Sequence, residues 1–124
     1  MVVMTGIPDN RHSGRSPLRY PGGKAKISSF VRRLMEHNGL VGAHYAEPYA
    51  GGAGIAFSLL LFGYANQVHL NDVDKGVYAF WRSVIDEPED FCRLVRNTRV
   101  SMAQWRRQRA IQNALHEHSI LEAG

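Results

Sequence analysis

A single cysteine, Cys92, occurs in 124 residues, so no disulfide can form within the chain and a reducing, intracellular compartment is expected. Its neighbours Phe91 and Leu94 suggest a small buried hydrophobe. Long apolar runs are also missing. The longest, Ile55 to Phe62, falls far short of the roughly 20 residues that cross a bilayer, and the opening MVVMTGIPDN turns polar too soon for a signal peptide. A soluble, cytoplasmic protein without membrane contact is expected. The histidines, His12, His37, His44, His69, His116 and His118, contain no i, i+4 pair and no cysteine or acidic partner at ligand spacing, which argues against a metal site.

What is present suffices for one packed core, since 44% of the residues are hydrophobic. Fifteen Lys and Arg against eleven Asp and Glu leave a formal charge of +4, which suits a polyanionic partner. The charge is uneven. Arg11, Arg15, Arg19, Lys24, Lys26, Arg32 and Arg33 crowd the first third, and no acid falls between Asp90 and Glu117, where Arg106, Arg107 and Arg109 lie. Those three are candidates for contact with double-stranded DNA, with a merely solvated basic face as the alternative. Trp105 beside them fits either core or nucleic-acid contact.

Residues 1–16 mix Gly, Pro, Ser, Asn and Arg without an apolar period and predict a flexible basic arm. Ile27, Phe30, Val31, Leu34 and Met35 then recur at helical spacing, stopped by Asn38-Gly39. Ala43 to Glu47, the glycines up to Gly54, and the apolar run from Ile55 read as strand, turn and buried helix. Gln67 to Asn71 reads as a second, parallel strand. Val77, Phe80, Trp81, Val84 and Ile85 predict a helix whose aromatic residues belong to the core. Asp86 with Glu89, and Ser101 with Gln104, mark the starts of two more helices over 88–99 and 102–117. The organisation expected is an arm over 1–16, a cofactor-binding part over 17–86 and a helical extension over 87–124.

The most informative segment is Glu47-Pro-Tyr-Ala-Gly-Gly-Ala-Gly54, with Asp72 some twenty residues after the glycines. Such loops approach an adenosine-containing cofactor through glycine backbone, and the second acid holds ribose hydroxyls. A dinucleotide fits this spacing too. Against it, Phe57 stands where the dinucleotide fingerprint wants Gly or Ala, and Glu47 at the strand end would repel a pyrophosphate. A positively charged sulfonium cofactor would instead be attracted to that carboxylate. The PGGK turn is no phosphate loop, because Leu18 replaces the first glycine and Ala25 the hydroxyl residue after the lysine.

Ser16-Pro-Leu-Arg-Tyr-Pro-Gly-Gly-Lys24, then Glu47 to Gly54, then Leu70-Asn-Asp-Val-Asp-Lys-Gly-Val-Tyr-Ala-Phe-Trp81 resemble, in order and spacing, the first three conserved blocks of Dam-like N6-adenine DNA methyltransferases. The resemblance implies the N-terminal part of a Rossmann-like, α/β S-adenosylmethionine-dependent methyltransferase fold. It implies a cofactor site made by Tyr20, Lys24, Glu47, Tyr49, Gly51, Gly52 and Asp72. Tyr20 and Lys24 would meet the methionine end, and Asp72 the ribose. The loop departs from the usual G-x-G pattern by running Gly51-Gly52-Ala53-Gly54.

Family members also carry an Asp-Pro-Pro-Tyr block that grips the flipped adenine. Among these residues no two prolines are adjacent. The expectation is therefore adenine-specific DNA methylation, of the restriction-modification kind, by the family, with no catalytic residue here and inactivity of the isolated 124 residues. Edge-strand association of the chain is expected with it. A nicotinamide dinucleotide module and a non-catalytic DNA-binding remnant are the alternative readings.

Overall fold

The computed structural model describes residues 1–5 and 16–113. The chain is mixed α/β and divides into two compact units, Met1–Asp72 and Val73–Gly124.

The first unit is built on three strands, β1 (Val2–Thr5), β2 (Ala43–Glu47) and β3 (Ala65–Leu70), in the order β1-β3-β2. β2 and β3 run parallel, as the two apolar segments separated by a helix predict, and Glu47 lies opposite Leu70. β1 is antiparallel to β3, with Val2 opposite Leu70 and Thr5 opposite Gln67. The flexible arm expected over 1–16 is thereby corrected at its start. Val2 is buried, and main-chain pairing with β3 orders a segment too short to show a period of its own. Residues 6–15 of that arm lie outside the described residues.

Two helices complete the unit, α1 (Ser28–His37) and α2 (Gly54–Leu61). A short 3-10 turn, Lys24–Ile27, leads into α1, which stops at Asn38 and Gly39, where φ turns to 65°. α2 is apolar on nearly all sides and buries Ile55, Ala56, Leu59 and Leu60, so it forms the centre of the unit against β3. Val68 and Leu70 of β3 are equally buried. Among the described residues β2 pairs on one side only, so its other edge carries unpaired backbone groups.

The second unit is helical: α3 (Lys75–Asp86), α4 (Pro88–Asn97) and α5 (Met102–Asn113). The Asp74 carboxylate caps α3 by accepting from the Gly76 and Val77 amides at 2.8 and 3.2 Å. Trp81 is fully buried, and Phe80 sits edge-on to both Trp81 and Phe91, which fastens α3 to α4. The core reading of these aromatics holds for Trp81, with Phe80 and Tyr78 half-buried.

Two sequence expectations fail in this unit. Asp86 does not cap α4, because it closes α3 and its carboxylate pairs with Arg82 one turn earlier; α4 instead begins with Pro88 at its first position. Cys92 is exposed, since α4 turns Phe91 toward α3 and leaves the next residue on the outer side. Ser101 does cap α5, accepting from the Gln104 amide at 3.1 Å. The expected continuation of this helix to 117 passes beyond the described residues.

Candidate functional site

Glu47 ends β2 and Leu70 ends β3, and the loops that follow interlock through the main chain. The Asn71 amide donates to the Glu47 carbonyl at 3.0 Å, and the Ala50 amide to the Asn71 carbonyl at 2.9 Å. The Gly51 amide completes the link by donating to Asp72 Oδ2 at 2.8 Å. Carboxyl ends of adjacent parallel strands are thus joined into one rigid lip, the place where α/β sheets take their ligands.

The Ser16–Lys24 segment closes over this lip. A Cβ on Gly51 would stand 3.0 Å from the Tyr20 ring, one on Gly52 2.9 Å from the Leu18 carbonyl, and one on Gly54 2.9 Å from the Ala25 methyl. Gly51 also has φ 50°, which favours glycine independently of space. Three of the loop's glycines therefore serve close approach of residues on either side of this chain's own PGGK turn, Leu18 and Tyr20 before it and Ala25 after it. Ala53 adopts φ 47° without being glycine, a strained backbone at the mouth of α2. Lys24 Nζ reaches across 25 residues to donate to the Tyr49 carbonyl.

Glu47 is the unusual member. It is only 3% exposed, and neither carboxylate oxygen has a hydrogen-bond partner among the described residues. Burial raises its pKa above the ordinary carboxyl range. The charge of Lys24, the backbone at Ala56 and the nearby Tyr45 hydroxyl all work in the opposite direction. Tyr45, on the same face of β2, is pushed up to about 12, first by burial and then by the negative charge of Glu47. A buried carboxylate beside Lys24 whose oxygens accept no hydrogen bond among the described residues has the chemistry to take a cation that brings its own hydrogen bonds.

Tyr20, Lys24, Glu47, Tyr49, Gly51, Gly52 and Asp72 accordingly come together in the first unit, with Tyr49 and Tyr20 exposed and Glu47, Gly51 and Gly52 buried. Arg106, Arg107 and Arg109 lie exposed on α5 of the second unit, where Arg109 stands 5.1 Å from the centroid of a half-exposed Trp105. Sequence reasoning missed Leu18, Ala25 and Tyr45. The first two act through a carbonyl and a methyl that no motif marks, whereas period-2 alternation places Tyr45 on the face of Glu47. Among the described residues no three His, Cys, Asp or Glu side chains gather to hold a metal, and no helix is long and apolar enough to cross a membrane.

Residues 20–113 match the family of D12 class N6 adenine-specific DNA methyltransferases. The match spans well over half of the chain, which belongs to this family, one of DNA adenine methylation. No curated protein and no solved structure matches the chain.

Proposed function

We propose that residues 17–86 form the S-adenosylmethionine-binding part of a Rossmann-like methyltransferase domain acting on adenine N6 in double-stranded DNA. Residues 87–124 open its DNA-recognition region, and the setting is cytoplasmic. The observation that carries this reading is Glu47 at the carboxyl end of β2, a buried carboxylate whose oxygens accept no hydrogen bond among the described residues. It favours a cationic ligand and disfavours a pyrophosphate.

When bound, S-adenosylmethionine supplies the electrophilic methyl group. Glu47 attracts the cationic end of the ligand, Asp72 orders the glycine loop and faces the ribose, and Tyr20, Lys24 and Tyr49 bound the methionine side. Arg106, Arg107 and Arg109 contribute phosphate contacts to DNA. The 124 residues contain no Asp-Pro-Pro-Tyr block to grip an extruded base, whose unstacking costs about a few kcal/mol, so they bind cofactor without turning over.

Isothermal calorimetry tests the reading directly. Saturable binding of S-adenosylmethionine and none of NAD is expected. Preference for NAD would replace it with a dinucleotide module, and DNA binding with neither cofactor would leave a non-catalytic DNA-binding remnant.

A further inference from the structure

Ser29, Arg32, Arg33 and Glu36 recur along α1 at i, i+3, i+4 and i+7 and so share one face of the helix. The chain reverses at Gly63, with φ 72°, and sets Phe62 and Tyr64 against that face. The Arg32 guanidinium lies over both rings, 4.9 Å from the Phe62 centroid and 5.6 Å from that of Tyr64. Stacking engages the flat faces of a guanidinium and leaves its in-plane N–H donors available.

A guanidinium serving only to fasten α1 to the turn after α2 would be expected to pair with Glu36, four residues on. Glu36 is taken instead by the Tyr64 hydroxyl, which donates to its Oε1 at 2.6 Å. No carboxylate pairs with Arg32 or Arg33 among the described residues. Together with Ser29 and Tyr64 these side chains line an open depression of about 290 Å³ with two cations and one engaged acid.

We propose that this depression binds a phosphate group, presented by the sugar-phosphate backbone of DNA. The choice of DNA as the source rests on the methyltransferase reading; the phosphate chemistry does not. An aromatic-backed Arg fixes a planar donor fork, Arg33 adds charge, and the Ser29 hydroxyl adds a neutral donor, a combination that suits phosphate oxygens. Such contacts position a duplex without reading its sequence.

The test uses the full 124-residue chain and its Arg33→Gln and Arg32→Lys variants. Fluorescence anisotropy follows a labelled adenine-containing duplex and a G·C-only duplex over a salt series, and thermal shift follows inorganic phosphate. Arg33 is exposed, and Arg33→Gln breaks no hydrogen bond or ion pair among the described residues, so its melting temperature should match the parent. It should weaken both duplexes alike, about three- to tenfold, and reduce the slope of log affinity against log salt by about 1. Arg32→Lys keeps the charge and loses the planar stack, and should weaken binding several-fold. S-adenosylmethionine binding should be unchanged in both variants. Loss of inorganic phosphate binding with unchanged DNA binding would overturn the DNA source and support a small phosphate-bearing ligand. An unchanged salt slope together with unchanged phosphate binding would overturn the site. Failure of the parent to bind S-adenosylmethionine would count against the methyltransferase reading and not against this one.

Discussion

The Gly51 amide donates to the Asp72 carboxylate at 2.8 Å, so the acid at the end of β3 fixes the backbone of the glycine loop that follows β2. Asp74, two residues on, has a different task as the cap of α3. One short acidic stretch thus serves two elements, and only Asp72 belongs to the loop where the cofactor is proposed to bind.

Asp72→Ala should act on the fold and the ligand together. Removing the acceptor of the buried Gly51 amide should lower stability by about 1–3 kcal/mol, read from denaturant unfolding. Calorimetry should show weaker S-adenosylmethionine binding by a similar amount. A variant of unchanged stability and affinity would remove Asp72 from both roles.

Glu47→Gln should discriminate between ligands. Its affinity for S-adenosylmethionine should fall more than its affinity for S-adenosylhomocysteine, whose sulfur is neutral, because only the former loses attraction between opposite charges. Equal losses would place Glu47 away from the sulfonium.

The pH dependence of Glu47 has a defined sign. Its pKa is raised in the folded chain, so the folded state holds the proton more tightly than the unfolded state. The stability from this group is fully present below the ordinary value of 4.5 and is lost as pH rises through the raised one. Across that window the parent should lose melting temperature relative to Glu47→Gln, and its S-adenosylmethionine affinity should rise as the carboxylate ionises. Parallel melting curves for the two proteins would contradict the assignment.

Gly52→Ala tests the closure of the Ser16–Tyr20 stretch over the glycine loop. A Cβ 2.9 Å from the Leu18 carbonyl forces backbone to move, and a loss of about 1–3 kcal/mol is expected in denaturant unfolding. Gly63→Ala is a poor control because its φ is 72°, whereas Gly23, whose Cβ would meet nothing closer than 3.4 Å, is a fair one.

The edge of β2 that is unpaired among the described residues, and the absence of an Asp-Pro-Pro-Tyr run from these 124 residues, make a joint prediction for them by themselves. No N6-methyladenine should form with labelled cofactor and adenine-containing DNA, and light scattering should detect self-association. Ala46→Lys, at an exposed position of the edge strand, should reduce that association. Methyl transfer by the parent would sink the first half, and a monomer at all concentrations the second.

The elements that carry their own period were legible in the sequence. α1, β2, α2 and α3 follow from apolar spacing and from the Asn38-Gly39 and glycine-loop punctuation, and the three motif blocks point to the family by themselves. Tertiary structure alone decided the rest. β1 is ordered by pairing with β3, since four residues cannot display a pattern that distinguishes a strand from an arm. Cys92 faces outward because Phe91 takes the side toward α3, and Asp86 serves Arg82 in place of a helix start. The glycines of the loop were legible as sites of close approach, but which partner comes close depends on how distant segments pack. The same holds for Glu47: its charge is written in the sequence, while its burial arises only when the fold encloses it, because desolvation belongs to the assembled fold and to no residue by itself.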